Sequence, residues 1–205
     1  MTRKPYHVLL YILATSLVLA LIVGFTLTRP YVFHAAVIDP PLPITDFTLQ
    51  TANSESFRLS DERGKIVLLF FGYTNCPDVC PITLATFKQV YEKLGDGAQK
   101  VRFVMVTADP ERDTPEKVAA YAALFNPEFI GLSGDPTDLE PIWKELGVFV
   151  EKQDSNSAAG YLVSHTASVY VIDQSGNLLM TFPYGTNAVD MADDLTQLLK
   201  QSQQK

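Results

Sequence analysis

Two cysteines and one histidine are the residues of this chain best placed to do chemistry. Cys76 and Cys80, the only cysteines among 205 residues, stand in the run Phe71-Gly72-Tyr73-Thr74-Asn75-Cys76-Pro77-Asp78-Val79-Cys80-Pro81. Side chains four apart on a helical turn share a face, with Cβ atoms about 5–6 Å apart. A disulfide prefers about 3.8 Å between Cβ atoms. The slack leaves room for a soft metal ion between the sulfurs. Pro77 and Pro81 stiffen the loop, and each biases the cysteine before it away from helical angles. With Pro81 as the first helical residue, Cys80 sits at a helix N-terminus, where the dipole favours a thiolate.

Three chemistries compete for this pair. A structural disulfide would close so small a loop that it would stabilise little. A redox-active dithiol is the second, although most thioredoxin-like redox sites have two residues between their cysteines and this pair has three. The third is a metal site, since two thiolates select soft ions such as Cu(I) or Zn(II). Further ligands must then come from histidine. His34 lies in a proline-containing stretch and is expected to be a solvent-exposed side chain. His165, in Tyr161-Leu162-Val163-Ser164-His165-Thr166-Ala167, immediately precedes an apolar run. A lone histidine there is either structural or a ligand. A structural zinc site wants four protein ligands and only three candidates exist, so two thiolates and one imidazole suit copper better.

The elements that must position these residues are legible from hydrophobic pattern. Phe47–Gln50 and Ser56–Leu59 form a hairpin, and Lys65–Phe71, almost continuously apolar, is a strand buried on both faces. A helix runs from Pro81 to Leu94, followed by a second buried strand over Val101–Thr107. Thr114 caps a helix that has Pro115 at its first position and continues to about Phe125. Phe129–Leu132 is a short strand and Asp138–Leu146 a helix. Thr166–Ile172 and Asn177–Phe182 are strands, and Asp190–Lys200 is an amphipathic helix. A β-α-β unit feeding a β-β-α unit around one sheet is a thioredoxin-like α/β fold, with an N-terminal β-hairpin and a central insertion. In α/β sheets sites gather where strands end and helices begin, and the loop Gly72–Cys80 is such a place.

Ahead of this domain, Val8–Leu27 carries no charge, and at about 1.5 Å per residue it spans roughly the 30 Å of a bilayer core. Its length and the lack of a nearby small-x-small site favour one uncleaved transmembrane helix over a signal peptide. Arg3 and Lys4 before it favour a cytoplasmic N-terminus, with the remainder exported, while Arg29 dilutes the signal. A bacterial plasma membrane, with the domain on its periplasmic side, fits the absence of a transit-peptide composition. The organisation is therefore a short N-terminus over residues 1–7, an anchor over 8–27, a tether over 28–43 stiffened by prolines, and one domain over 44–205. Apart from Arg3, Lys4 and Arg29, the chain holds 13 basic against 23 acidic residues, which argues against nucleic acid as a partner.

GYTNCPDVCP over Gly72–Pro81, DPERDTP over Asp109–Pro115 and VSHTASVYVI over Val163–Ile172 together resemble the Sco/SenC family of membrane-anchored copper proteins. The resemblance runs from about Pro43 to the final helix. It implies a thioredoxin-like domain that binds one copper, as Cu(I) or Cu(II), through Cys76, Cys80 and His165. It also implies a metallochaperone that helps assemble the binuclear copper (CuA) centre of cytochrome c oxidase subunit II. The chain departs from the family pattern at Asn75, where His is frequent, and at Ser164, where Asp is usual; the second change alters the charge beside His165.

That cycle needs reduced thiols, hence a copper donor protein and an external dithiol reductant as partners. The alternative is a thiol-disulfide oxidoreductase acting on the oxidase cysteines, in which Cys76 and Cys80 attack and resolve and His165 is dispensable. A copper or redox sensor is a weaker third. Asp78 is either a solvated loop carboxylate or an influence on the site's charge. Arg112, with Asp109 or Asp113, either braces the site or contacts a partner, and Trp143 is expected in the core.

Overall fold

The computed structural model describes residues 6–27, 30–157 and 160–202. The chain divides into two compact units, residues 1–32 and 33–205. In the first, α1 (Tyr6–Leu27) is a 22-residue helix, formed over the apolar run as expected. Among the described residues no helix is long and apolar enough to cross a membrane. The side chains described in α1, from Tyr6 to Leu21, are all exposed, and their 16 positions rise only about 24 Å. Arg3, Lys4 and Arg29, on which the expected orientation rests, lie outside the described residues.

The second unit opens with β1 (Ala36–Pro43), then β2 (Thr48–Gln50), β3 (Ser56–Arg58), β4 (Ile66–Gly72) and α2 (Val79–Leu94). β5 (Val101–Thr107), α3 (Pro115–Ala123), β6 (Ile130–Leu132) and α4 (Pro136–Glu145) follow, and then β7 (Val150–Ser157) and β8 (Gly160–His165). β9 (Val169–Ile172), β10 (Asn177–Phe182) and α5 (Ala188–Ser202) complete it. One six-stranded sheet has the order β1-β10-β9-β4-β5-β6. β4, β5 and β6 are parallel, β9 and β10 antiparallel. This is the thioredoxin-like arrangement of a β-α-β unit closed by a β-β-α unit.

All seven residues of β4 are buried, because helices and a hairpin cover both faces. Ile66, Leu68 and Phe70 join one core with Leu84 and Phe87 of α2, Val118 of α3 and Leu195 of α5. Val67, Leu69 and Phe71 join the other, with Leu49 and Phe57 of the β2–β3 hairpin and Leu139 and Ile142 of α4. The strand at the centre of both cores is thereby held rigid up to its last residue, where the cysteine loop begins.

Two expectations need correction. Residues 36–43, assigned to a tether, form β1 and pair with β10 at the sheet edge. An edge strand tolerates prolines, which cannot donate to a ladder, so Pro40, Pro41 and Pro43 mask it. The His34 side chain is exposed as expected, and it also has a partner: its backbone N–H donates to Asp194 Oδ2 at 3.0 Å, and its Nδ1 lies 3.0 Å from Asp194 Oδ1. The expected strand over Thr166–Ile172 begins only at Val169, and His165 instead ends β8 of a separate hairpin, β7–β8. The short strand expected over Phe129–Leu132 is present as β6 and extends the main sheet beside β5.

Asp194, fully buried on α5, also accepts the N–H of Ala35 at 2.9 Å. It thus fastens the entrance of the domain to its last helix. An Asp194→Ala substitution leaves buried N–H groups without an acceptor, at a cost of about 1–3 kcal/mol each. We expect a loss of about 2–5 kcal/mol in a urea unfolding series of the full chain, with the denaturant slope unchanged.

Candidate metal centre

β4 ends at Gly72, and the chain needs only residues 73–78 to turn into α2. A Cβ on Gly72 would stand 2.9 Å from Cys80 Sγ and 2.7 Å from the Phe70 ring, so only glycine lets the sulfur settle against the strand end. Gly72 O accepts the N–H of Ala108 at 2.6 Å. Beyond it Thr74 is pinned by the buried Asp113, which accepts Thr74 N–H at 2.9 Å and the Thr74 hydroxyl at 2.5 Å. Thr107 Oγ1 donates to the same carboxylate at 3.0 Å. Cys76 N–H donates to Tyr73 O at 3.2 Å, closing the turn.

α2 starts two residues before Pro81, at Val79, making Cys80 its second residue. Cys80 is fully buried, while Cys76 is partly exposed, and both are free thiols. The Cys80 amide donates to Cys76 Sγ at 3.4 Å.

His165 arrives from the other side, at the end of β8. Its Nδ1 lies 3.1 Å from Thr166 O. A carbonyl only accepts, so Nδ1 carries the proton and Nε2 keeps its lone pair. Nε2 lies 3.6 Å from Cys80 Sγ. The imidazole is held edge-on between Phe70 and Tyr73, with ring centroids 5.9 and 5.8 Å away.

Charge is divided unequally between the sulfurs. The hydrogen bond from the Cys80 thiol is the largest influence lowering the Cys76 pKa, which falls to about 3 despite partial burial. The amides of Asp78 and Cys80 add to the effect. Cys80 is pushed far up, first by that same hydrogen bond, then by burial and by repulsion from the Cys76 thiolate. Two like charges in contact inside a protein do not both ionise. The pair therefore holds one proton at neutral pH, on Cys80. Tyr121 of α3 is pushed up to about 12, chiefly by burial and then by the charge on the two sulfurs.

Cys76, Cys80 and His165 present donor atoms that all lie within 4.8 Å of one another. Two sulfurs sharing an ion at about 2.3 Å each are no more than about 4.6 Å apart, so the three donors fit one soft ion after a small adjustment. Among the described residues no fourth His, Cys, Asp or Glu joins the group. The structure thus brings together all three residues expected from the sequence. Asp78 lies exposed at the loop tip, Trp143 packs against the second core, and His34 stands apart, ahead of β1 and against Asp194 of α5. The sequence reading missed Gly72, Phe70, Tyr73 and Thr74 as walls and fastenings of the site. Their signal is their position, within one loop's length of Cys76 at a buried strand end.

The chain is similar to known proteins in both sequence and fold. A sequence profile described as SCO1/SenC matches residues 38–200. An SCO2-like protein of Rickettsia prowazekii is 32% identical over 148 residues, covering 72% of each chain. The solution structure of apo Sco1 from Thermus thermophilus is 37% identical, covers 82% of this chain and 98% of its own, and superposes with a TM-score of 0.73. The copper-bound structure of ScoI from Bradyrhizobium japonicum is 33% identical, covers 76% and 99%, and gives a TM-score of 0.69.

The split charge has a direct readout. Alkylation of an ordinary thiol accelerates about tenfold per pH unit below its pKa, because only the thiolate reacts. With Cys76 ionised above pH about 3, iodoacetamide should label it at a rate that is flat from pH 5 to 7. Peptide mapping should find the label on Cys76 and not on Cys80. A tenfold rise per unit would show that Cys76 is protonated in this range.

Proposed function

The chain belongs to the SCO1/SenC family, and from that membership and the cysteine–cysteine–histidine geometry we propose that it is a membrane-anchored copper metallochaperone. Its recipient is the binuclear copper centre of cytochrome c oxidase subunit II. One observation carries the reading: two sulfurs and an imidazole nitrogen converge within 4.8 Å, a donor set that selects soft Cu(I). Copper is cargo here. The exposed Cys76 thiolate offers the first ligand without losing a proton, His165 Nε2 offers a lone pair, and Cys80 joins by giving up its proton. Delivery reverses these steps by ligand exchange with acceptor cysteines, so a copper donor and a dithiol reductant act upstream.

α1 provides the anchor in this reading, a single pass through the bacterial inner membrane with the domain on the periplasmic side. An array of exposed Leu, Ile and Val from Val8 to Leu21 gains nothing from water and much from lipid.

A second reading is favoured by the sulfur chemistry itself. A partly exposed thiolate with a buried thiol beside it is the arrangement of an attacking and a resolving cysteine. In a thiol-disulfide exchange, Cys76 would attack an acceptor disulfide and form a mixed disulfide. Cys80, losing its proton, would then attack Cys76, leaving a Cys76–Cys80 disulfide and a reduced acceptor dithiol. His165 has no part in those steps.

The two readings separate on copper binding by the full chain in detergent, measured by competition with a coloured Cu(I) chelator. The chaperone reading expects one Cu(I) per chain. Because only Cys80 gives up a proton, affinity should rise about tenfold per pH unit from pH 7 to 8 and fall as pH drops. Two released protons would make it about a hundredfold. His165→Ala should weaken binding at least tenfold; unchanged binding would favour the oxidoreductase.

A further inference from the structure

His165 does not belong to the central sheet. Its strand, β8, pairs only with β7, in a two-stranded ribbon of its own. An isolated two-stranded ribbon is marginally stable in water, so backbone pairing alone does not fix a ligand at its end. Something else must register β8 against the cysteine loop; Tyr73 bonds the backbone of Val163 in β8, and a cluster of charged and aromatic side chains adds a second tie.

Asp109, 1% exposed at the end of β5, accepts a hydrogen bond from Arg112 Nε and another from the Tyr161 hydroxyl at 2.7 Å. Arg112, itself 19% exposed, donates from Nη1 to Tyr161 O at 2.9 Å. Its guanidinium carbon lies 3.7 Å from the centroid of the Tyr161 ring and 5.8 Å from that of Tyr73. Tyr161 is in β8, four residues before His165, and residues two and four apart on a strand share a face. Val163, between them, is buried. Tyr73 is the ring that flanks the His165 imidazole. One side chain thus holds β8 by its backbone and by a ring, and lies against the residue that bounds His165 on the cysteine side.

We infer that Arg112 is a positioning residue for His165: through Tyr161 and Tyr73 it sets where the imidazole stands relative to Cys76 and Cys80. A guanidinium is needed because a lysine cannot stack on Tyr161, bond its carbonyl and pair with Asp109 together. The inference deepens the copper reading, and its first readout is independent of copper.

That readout is the His165 ring in the copper-free full chain, labelled with ¹⁵N-histidine and assigned by loss of its signals in His165→Gln. The native ring should show one tautomer, protonated at Nδ1. Arg112→Gln should give averaged or broadened ring signals; an unchanged ring would overturn the inference. The second readout is Cu(I) affinity in a double-mutant cycle. Arg112→Gln should lose about 10–100-fold, the usual range for a residue supporting a ligand. Arg112→Gln combined with His165→Ala should bind no more weakly than His165→Ala alone. Losses that multiply would mean that Arg112 acts elsewhere and would overturn the inference. If His165→Ala binds copper like the native chain, the copper reading fails at His165, and the ring measurement still decides the role of Arg112. Should Arg112→Gln not fold, Arg112→Lys keeps a charge opposite Asp109 and takes its place, with the same outcomes expected.

Discussion

One proton shared by two sulfurs is the constraint on which the rest of the site depends. Cys76 and Cys80 are close enough for each to set the other's ionisation, and repulsion between two buried thiolates forbids the doubly charged state without a cation. Everything nearby serves that asymmetry. Gly72 has no Cβ, so Cys80 sinks against the end of β4 and stays dry. The loop leaves Cys76 partly open, where amides of the first turn of α2 face it. The site therefore carries one negative charge in waiting, and a soft cation removes the reason for keeping the second proton.

The other donor has to be held to the same tolerance from a different part of the chain, and a single loop does both. Asp109–Asp113 follows β5, and its two buried carboxylates take different partners. Asp113 takes the amide and hydroxyl of Thr74, two residues before Cys76. Asp109 takes Arg112 and Tyr161, and so reaches the strand that ends in His165. Thr107 ties the two together: its hydroxyl donates to Asp113 and accepts the amide of Asp109 at 2.9 Å. Buried carboxylates are costly unless every lone pair is used. Here the cost is offset by bonds that also fix the distance between thiolates and imidazole.

Sequence pattern revealed the site better than its supports. The cysteine spacing, the strand–loop–helix context and His165 were all legible, because each rests on residue types that few other roles require. The central strands were legible because burial on both faces leaves a continuous apolar run, as in Ile66–Phe71. β1 was hidden by its prolines, which read as a tether until an antiparallel neighbour appears beside them. β7 and β8 were hidden for a different reason. In β8 only Val163 is buried, so no alternation is there to detect, and Val150–Ser157 looks like a polar loop in the sequence. With β8 unread, the four-residue step from Tyr161 to His165 had no face to share, and Arg112 remained a charge with two possible jobs.

The helix start gives the spacing of the cysteines a further meaning. The first amides of a helix need acceptors, and Asp78, the residue placed to cap α2, makes no side-chain cap. The Cys76 sulfur accepts the Cys80 amide instead, so the thiolate that does the chemistry also completes the fold at this end of α2. Its negative charge at a helix N-terminus is stabilising. Whatever stabilises the thiolate favours the reduced pair over the disulfide, which makes the dithiol easier to regenerate. A three-residue gap therefore places one sulfur at the helix cap and the other in the core.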